Sequence, residues 1–263
     1  MVQANIGLRR KGRRPAQDIR DHRRLSLTAE RQGAQLIVWP ETAFPYRLFP
    51  KRDPNVKRKV MGRLSTPLVF GAPFVPDRRK RQKFNAVFLA DAQGTIRGRY
   101  DKHHPLPFGE YLPLSNWFPW LHRLSPYSGK YSAGTSMDLL RHNDLRIAAN
   151  VCYEDILADH IRLQVRKRPN LLINLTNDSW FGTTVEPQIH LALATFRSVE
   201  HHLAMVRSTN TGISAFIDPL GRIEQASPMA SPAVLVQDVV LMEGQPTVYA
   251  RFGNWMGYLA LLL

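Results

Sequence analysis

The feature that most restricts this chain is a regular alternation of short branched or aromatic runs with longer stretches that mix apolar and charged residues. Strand-like runs fall at 36–39, 67–70, 85–90, 145–151, 170–175, 205–209, 212–217 and 234–239, and the opening alternation of Val2, Ala4 and Ile6 adds another. Helix-like stretches fall at 16–34, 53–64, 155–168 and 186–203. Such alternation implies a layered α/β domain with a mixed sheet. With 263 residues, 44% of them hydrophobic, the chain has the material for a full core, and disorder is excluded. No internal repeat or low-complexity linker divides it, so a single domain over 1–245 is expected.

Three of the strand-like runs end in a reactive side chain. The run 36–39 leads through Pro40 to Glu41, the run near 95–99 leads to Lys102, and 145–151 leads to Cys152, the only cysteine. Loops at strand ends are where α/β proteins hold ligands, because the sheet fixes them while solvent reaches them. A thiol with an ordinary pKa of about 8.5 is a weak nucleophile at neutral pH, and a helix start or a nearby cation favours its thiolate. A helix beginning near Asp155 and the ammonium of Lys102 are the candidates here. Glu41 is suited to take the thiol proton, and Lys102 to stabilise a tetrahedral oxyanion. Taken singly, each residue has a plainer reading: a buried small hydrophobe, a helix-start acid, one of 36 cations.

Composition narrows the alternatives. One cysteine excludes a disulfide framework and a Cys-rich zinc module. The pairs His103-His104 and His201-His202 lack metal-binding spacing, and neither a metal nor a cofactor is expected. The net charge of +15 resides almost wholly in three windows, 9–24, 51–59 and 77–83, which carry +6, +4 and +4. A basic chain invites a nucleic-acid reading, but the aromatics do not interleave with the basic runs and no nucleic-acid-binding signature is present. A membrane surface is the other anionic partner, with each basic residue near it adding about 1 kcal/mol of attraction.

The motifs Pro40-Glu41, Tyr100-Asp-Lys102 and Cys152-Tyr-Glu154 resemble the nitrilase, or carbon–nitrogen hydrolase, superfamily. Within it, Val38-Trp-Pro-Glu-Thr-Ala43, Pro107-Phe-Gly-Glu-Tyr-Leu-Pro113, Cys152-Tyr-Glu-Asp155, Asn174-Leu-Thr-Asn-Asp-Ser-Trp-Phe-Gly182 and Arg207-Ser-Thr-Asn-Thr-Gly212 resemble the apolipoprotein N-acyltransferase family, in order, from residue 2 to about 240. The resemblance implies an α-β-β-α sandwich, with Glu41 as general base, Lys102 as oxyanion-stabilising lysine and Cys152 as nucleophile. It marks Glu110 and Glu154 as additional active-site glutamates and places Tyr153 and Trp180 near the pocket. It implies a ping-pong reaction on the periplasmic face of the bacterial inner membrane. A phospholipid donates an acyl chain to the cysteine as a thioester, and the N-terminal amine of a diacylglyceryl lipoprotein accepts it. A soluble amidase or nitrilase acting on a small amide with the same three residues is the alternative. One local departure, Pro105-Leu106 before Pro-Phe-Gly-Glu, lies beside the lysine and is expected to be harmless.

Transfer to an amine rather than to water requires a pocket that excludes solvent. Within the proline-rich, aromatic stretch 105–135, the loop 113–131, together with the segment Phe44-Pro-Tyr-Arg-Leu-Phe49, is a candidate lid, and the Trp and Tyr residues suit a membrane interface. The apolar segment 252–263 is too short for a span, which needs about 20 residues. Under the resemblance it reads as the truncated start of a membrane helix, and the abrupt opening strand reads as a cut from a longer protein that carries further membrane helices.

Overall fold

In the computed structural model, residues 1–7, 13–49, 52–77, 79, 82–115, 117–118, 120–124 and 130–261 are described. Part of the three basic windows, together with Pro119, Pro126 and Tyr127 of the proline-rich stretch, lies outside them.

The elements run β1 (Val2–Gln3), α1 (Pro15–Arg31), β2 (Ile37–Val38), β3 (Leu68–Phe74), β4 (Phe84–Ala90), β5 (Ile96–Asp101), the single turn α2 (Leu121–Leu124), β6 (Leu140–His142), β7 (Leu145–Val151), α3 (Ala158–Val165), β8 (Leu171–Thr176), α4 (Glu186–His201), β9 (Met205–Thr209), β10 (Ala215–Ile217), β11 (Ile223–Ala226), β12 (Ala233–Val234), α5 (Val248–Phe252) and α6 (Trp255–Ala260). One sheet has the order β2-β3-β4-β5 and the other β11-β10-β9-β8-β7-β6, while β1 pairs with β12. The pair β2/β3 is parallel, as are β7/β8 and β8/β9; the remaining neighbours are antiparallel.

Alternation along the strands sorts the side chains into layers. Val38, Val69, Val87, Leu89 and Tyr100 of the first sheet meet Ile147, Ala149, Val151, Ile173, Leu175 and Val206 of the second. The opposite face of the first sheet, with Ile37, Leu68, Phe70, Phe74 and Phe88, is covered by Ile19 and Leu25 of α1. The opposite face of the second, with Ala148, Leu172, Met205 and Ile217, is covered by Ile161 and Val165 of α3 and Leu191 and Ala194 of α4. The result is the expected α-β-β-α sandwich. Pro15 opens α1, where a missing N–H is no loss. Trp39 Nε1 donates to Ser26 Oγ at 2.7 Å, fastening α1 to the chain just beyond β2.

Three local expectations shift. The helix expected at 53–64 is a single π-helical turn, Lys57–Met61, because Val56 N–H bonds to Gly94 O at 2.7 Å and Gly62 turns the chain at φ +65°. The helix expected from Asp155 starts at Ala158, preceded by a 3-10 turn, Cys152–Ile156. The strand expected at 234–239 is confined to Ala233–Val234, where β1 offers a partner. The apolar C-terminal segment contributes α6, and among the described residues no helix is long and apolar enough to cross a membrane.

Candidate active site

Glu41, Lys102 and Cys152 sit just past the ends of β2, β5 and β7. Because β2 and β3 are parallel and β3, β4 and β5 alternate, β2 and β5 deliver their residues to the same end of the first sheet. Glu41 lies on a tight turn in which Thr42 takes φ +48° and Phe44 N–H bonds to Gly71 O at 3.1 Å. The turn presses on β3 so closely that a Cβ at Gly71 would stand 2.5 Å from Thr42 N and 2.9 Å from Glu41 Cα. Lys102 extends β5 by one bond, its N–H reaching Asn85 O at 2.8 Å. Cys152 begins the 3-10 turn in the left-handed region, φ +56°, and its carbonyl accepts from Asn174 Nδ2 at 2.9 Å.

Lys102 is 2% exposed, and its Nζ lies 2.6 Å from Glu110 Oε2. Burial works to lower its pKa, but the charges of Glu41, Cys152 and Glu110 outweigh burial and hold the lysine charged. The same oxygen of Glu110 accepts from Leu106 N–H at 2.8 Å. Asn85, one position into β4, joins the two glutamates: its Nδ2 donates to Glu41 Oε1 at 2.6 Å and to Glu110 Oε1 at 2.7 Å. Sequence reading missed Asn85, and a polar residue opening an otherwise apolar strand was the only available signal.

Glu154, fully buried, accepts from the backbone N–H groups of His103 (2.7 Å), His104 (3.0 Å) and Val151 (2.8 Å) and from Tyr100 Oη (2.9 Å). It therefore ties the loop after Lys102 to the turn of Cys152. Burial pushes its pKa up to about 7, against the hydrogen bonds and the Lys102 charge that favour the carboxylate. Tyr153 donates to His104 O at 2.8 Å, and its ring faces Lys102 Nζ at 5.3 Å. Trp180, on the 3-10 turn Asp178–Trp180, is 71% exposed.

The thiol departs from expectation. Burial and the charges of Glu41 and Asp178 push its pKa well up, and the opposing pull of Lys102 is the weaker influence. No α-helix begins at Cys152, so no full helix dipole acts there. A thiol whose pKa is raised needs a base beside it to become a nucleophile. Among the described residues, no group of three or more His, Cys, Asp or Glu side chains is arranged to hold a metal ion.

A buried two-sheet sandwich with carboxylates, a lysine and a cysteine gathered beyond its strand ends defines a class. The carbon–nitrogen hydrolase family model matches residues 1–248, and the chain belongs to that family. Within it, the chain is similar to apolipoprotein N-acyltransferase of Geobacter metallireducens, 37% identical over 238 residues, covering 89% of this chain and 45% of that protein. It is similar also to that of Bdellovibrio bacteriovorus, 33% identical over 285 residues, covering 100% of this chain and 52% of that protein. The chain thus spans about half the length of these curated relatives. Among solved structures, an amidase mutant from Nesterenkonia sp. AN1, with acrylamide added to its active-site cysteine, superposes with a TM-score of 0.64 at 18% identity, covering 94% of each chain. That likeness establishes the shared fold.

Proposed function

We propose that this chain is the catalytic part of an acyltransferase that moves an acyl chain from a phospholipid, through a thioester on Cys152, to the N-terminal amine of a diacylglyceryl-cysteine lipoprotein. The observation that supports the chemistry is the buried Lys102 ammonium, held by Glu110 and within electrostatic reach of Glu41 and Cys152. Glu41 takes the thiol proton, and sulfur attacks the ester carbonyl carbon. Lys102 stabilises the oxyanion, and the carbon–oxygen bond to the glycerol breaks. The departing alkoxide takes the proton back from Glu41 and leaves as lysophospholipid. The acceptor amine then attacks the thioester, gives a proton to Glu41, and the sulfur departs to recover it.

The choice of donor and acceptor rests on the acyltransferase relatives. It is supported by the exposed apolar side chains that follow Lys102: Phe108 (67%), Leu114 (62%), Trp117 (80%) and Trp120 (55%). On a membrane protein this band would face lipid, in keeping with a domain that works at a membrane surface, for which the periplasmic face of the bacterial inner membrane is the location we propose. The amidase reading draws on the solved structures of the same fold. Incubation with a phospholipid in detergent micelles, followed by mass spectrometry of the Cys152 peptide, separates the two. One acyl mass, released by hydroxylamine and absent from Cys152→Ala, is expected. An unmodified thiol together with ammonia release from small amides would overturn the acyltransfer reading in favour of the amidase.

A further inference from the structure

Behind the nucleophile lies a closed chain of buried charges to which the mechanism above gives no role. Asp155, three residues after Cys152 and fully buried, accepts from Arg207 Nη1 through one oxygen, and its other oxygen lies 2.9 Å from His190 Nε2. His190 Nδ1 lies 3.2 Å from Asp178 Oδ1, and Arg207 Nη2 lies 3.5 Å from Asp178 Oδ2. Arg207 Nη1 also donates to Asn174 Oδ1 at 3.1 Å, and Asn174 in turn donates to the Cys152 carbonyl. The turns after β7 and β8, the strands β8 and β9, and α4 therefore converge on the turn that carries the sulfur. Asp178 fits only because residue 212 is glycine: a Cβ there would stand 2.2 Å from Asp178 Oδ2.

Charge counting gives the network its meaning. With His190 neutral, Arg207 balances only one of the two aspartates, leaving one negative charge in the buried interior behind a sulfur that must itself become negative. With His190 as imidazolium, the four groups sum to zero. The groups facing His190 are Asp155 from the turn after β7, Asp178 from the turn after β8, Arg207 from β9 and Glu186 from its own helix. Those acting on Cys152 are Glu41, Lys102 and Asp178. We infer that His190 is a positioning residue for the nucleophile: as an imidazolium clamped between Asp155 and Asp178, it cancels the carboxylate charge behind Cys152 and so sets the pH at which the thiol ionises. In keeping with this, although burial and Arg207 work to lower it, Asp155 and Asp178 raise the His190 pKa to about 9.

The inference rests on Cys152 as the nucleophile, and its test avoids the acyl-transfer reaction. The rate of Cys152 alkylation by iodoacetamide is followed against pH for the parent, His190→Gln, Asp178→Asn and the double variant, each checked by thermal melting. His190→Gln leaves one uncancelled carboxylate and should move the rising limb to higher pH by about one unit, a tenfold slower reaction at fixed pH. Asp178→Asn removes a carboxylate and should move the limb to lower pH. The double variant, neutral again, should return toward the parent even if its melting temperature is the lowest of the four, which a merely structural role would not produce. A limb unmoved in His190→Gln overturns the inference. Should His190→Gln alone fail to fold, the double variant set against Asp178→Asn decides: a double variant whose limb coincides with that of Asp178→Asn overturns the inference. Displaced limbs in a protein that takes no acyl chain from phospholipid would sink the proposed reaction and leave this inference standing.

Discussion

Asn85 Nδ2 stands 2.6 Å from Glu41 Oε1, so the base proposed for the thiol is oriented by a side chain from the neighbouring hairpin. The same nitrogen reaches Glu110, and Asn85 is 3% exposed. Replacing it with Ala leaves two carboxylate oxygens without this donor, at a stability cost of about 1–3 kcal/mol. Asn85→Asp is the sharper change, since a third carboxylate beside Glu41 and Glu110 repels both and competes for Lys102. Acylation of Cys152 should slow by about a hundredfold in Asn85→Asp, because a misplaced base forfeits the orientation on which the step depends. A time course of peptide acylation measures it, and parent-like rates would show that Glu41 needs no such guide.

Glu154 makes a prediction with a definite sign. A carboxyl whose folded pKa is raised to about 7 holds its proton more tightly in the folded protein than in the unfolded chain. Its contribution to stability is fully present below about pH 4.5 and is lost as pH rises through about 7, a change of about 3 kcal/mol over that window. His160, which burial lowers to about 3, acts in the opposite sense, and it is common to both proteins in a comparison with Glu154→Gln. Thermal melts from pH 4 to 8 should therefore show the parent's advantage over Glu154→Gln shrinking as pH rises. A constant difference would mean that folding does not raise the Glu154 pKa.

Gly71→Ala tests how firmly the Glu41 turn is seated. The added methyl would lie 2.5 Å from Thr42 N and 2.9 Å from Pro40 O, both backbone atoms that cannot swing aside. The turn must move, and acylation should fall by about tenfold or more. Gly244→Ala, where nothing lies within 4 Å of the new carbon, is the control and should leave the rate unchanged.

What could be read from the sequence was whatever depends on local order. The alternation in Leu68–Phe74 and Phe84–Ala90 already sorts Val69 and Val87 to one face and Phe70 and Phe88 to the other, and that sorting is the sandwich. Glu41, Lys102 and Cys152 could be singled out as candidates because each lies just past a strand-like run. Asn85 was not, because its role arises from the antiparallel register that sets Ala86 opposite Asp101 and so brings the start of β4 beside Lys102. Arg207 and Asp155 are likewise 52 residues apart and meet only through the order of β7, β8 and β9. The thiol's environment was misjudged because desolvation is a property of the packed site, and no spacing of residues along the chain reveals it. At 53–64 the mixture of charges suggested a helix, whereas long-range bonding of Val56 to Gly94 decided otherwise.

The last prediction concerns the exposed aromatics that follow the lysine. Phe108 and Leu114 both adopt left-handed backbone, φ +64° and +61°, which turns the segment sharply, and Trp117 and Trp120 stand in solvent beyond it. Indole rings favour the boundary between lipid headgroups and acyl chains, so these side chains would enter a bilayer surface that the basic residues of the chain attract. Vesicles containing anionic phospholipid should bind the parent more strongly than zwitterionic ones, with the difference falling as salt is raised. Trp117→Ser combined with Trp120→Ser should weaken binding to both kinds of vesicle by about tenfold while leaving iodoacetamide alkylation of Cys152 unchanged, because neither ring contributes to the Lys102, Glu110 and Asn85 cluster. Sedimentation with the vesicles reads the outcome, and binding indifferent to both substitutions would remove the aromatics from any lipid-facing role.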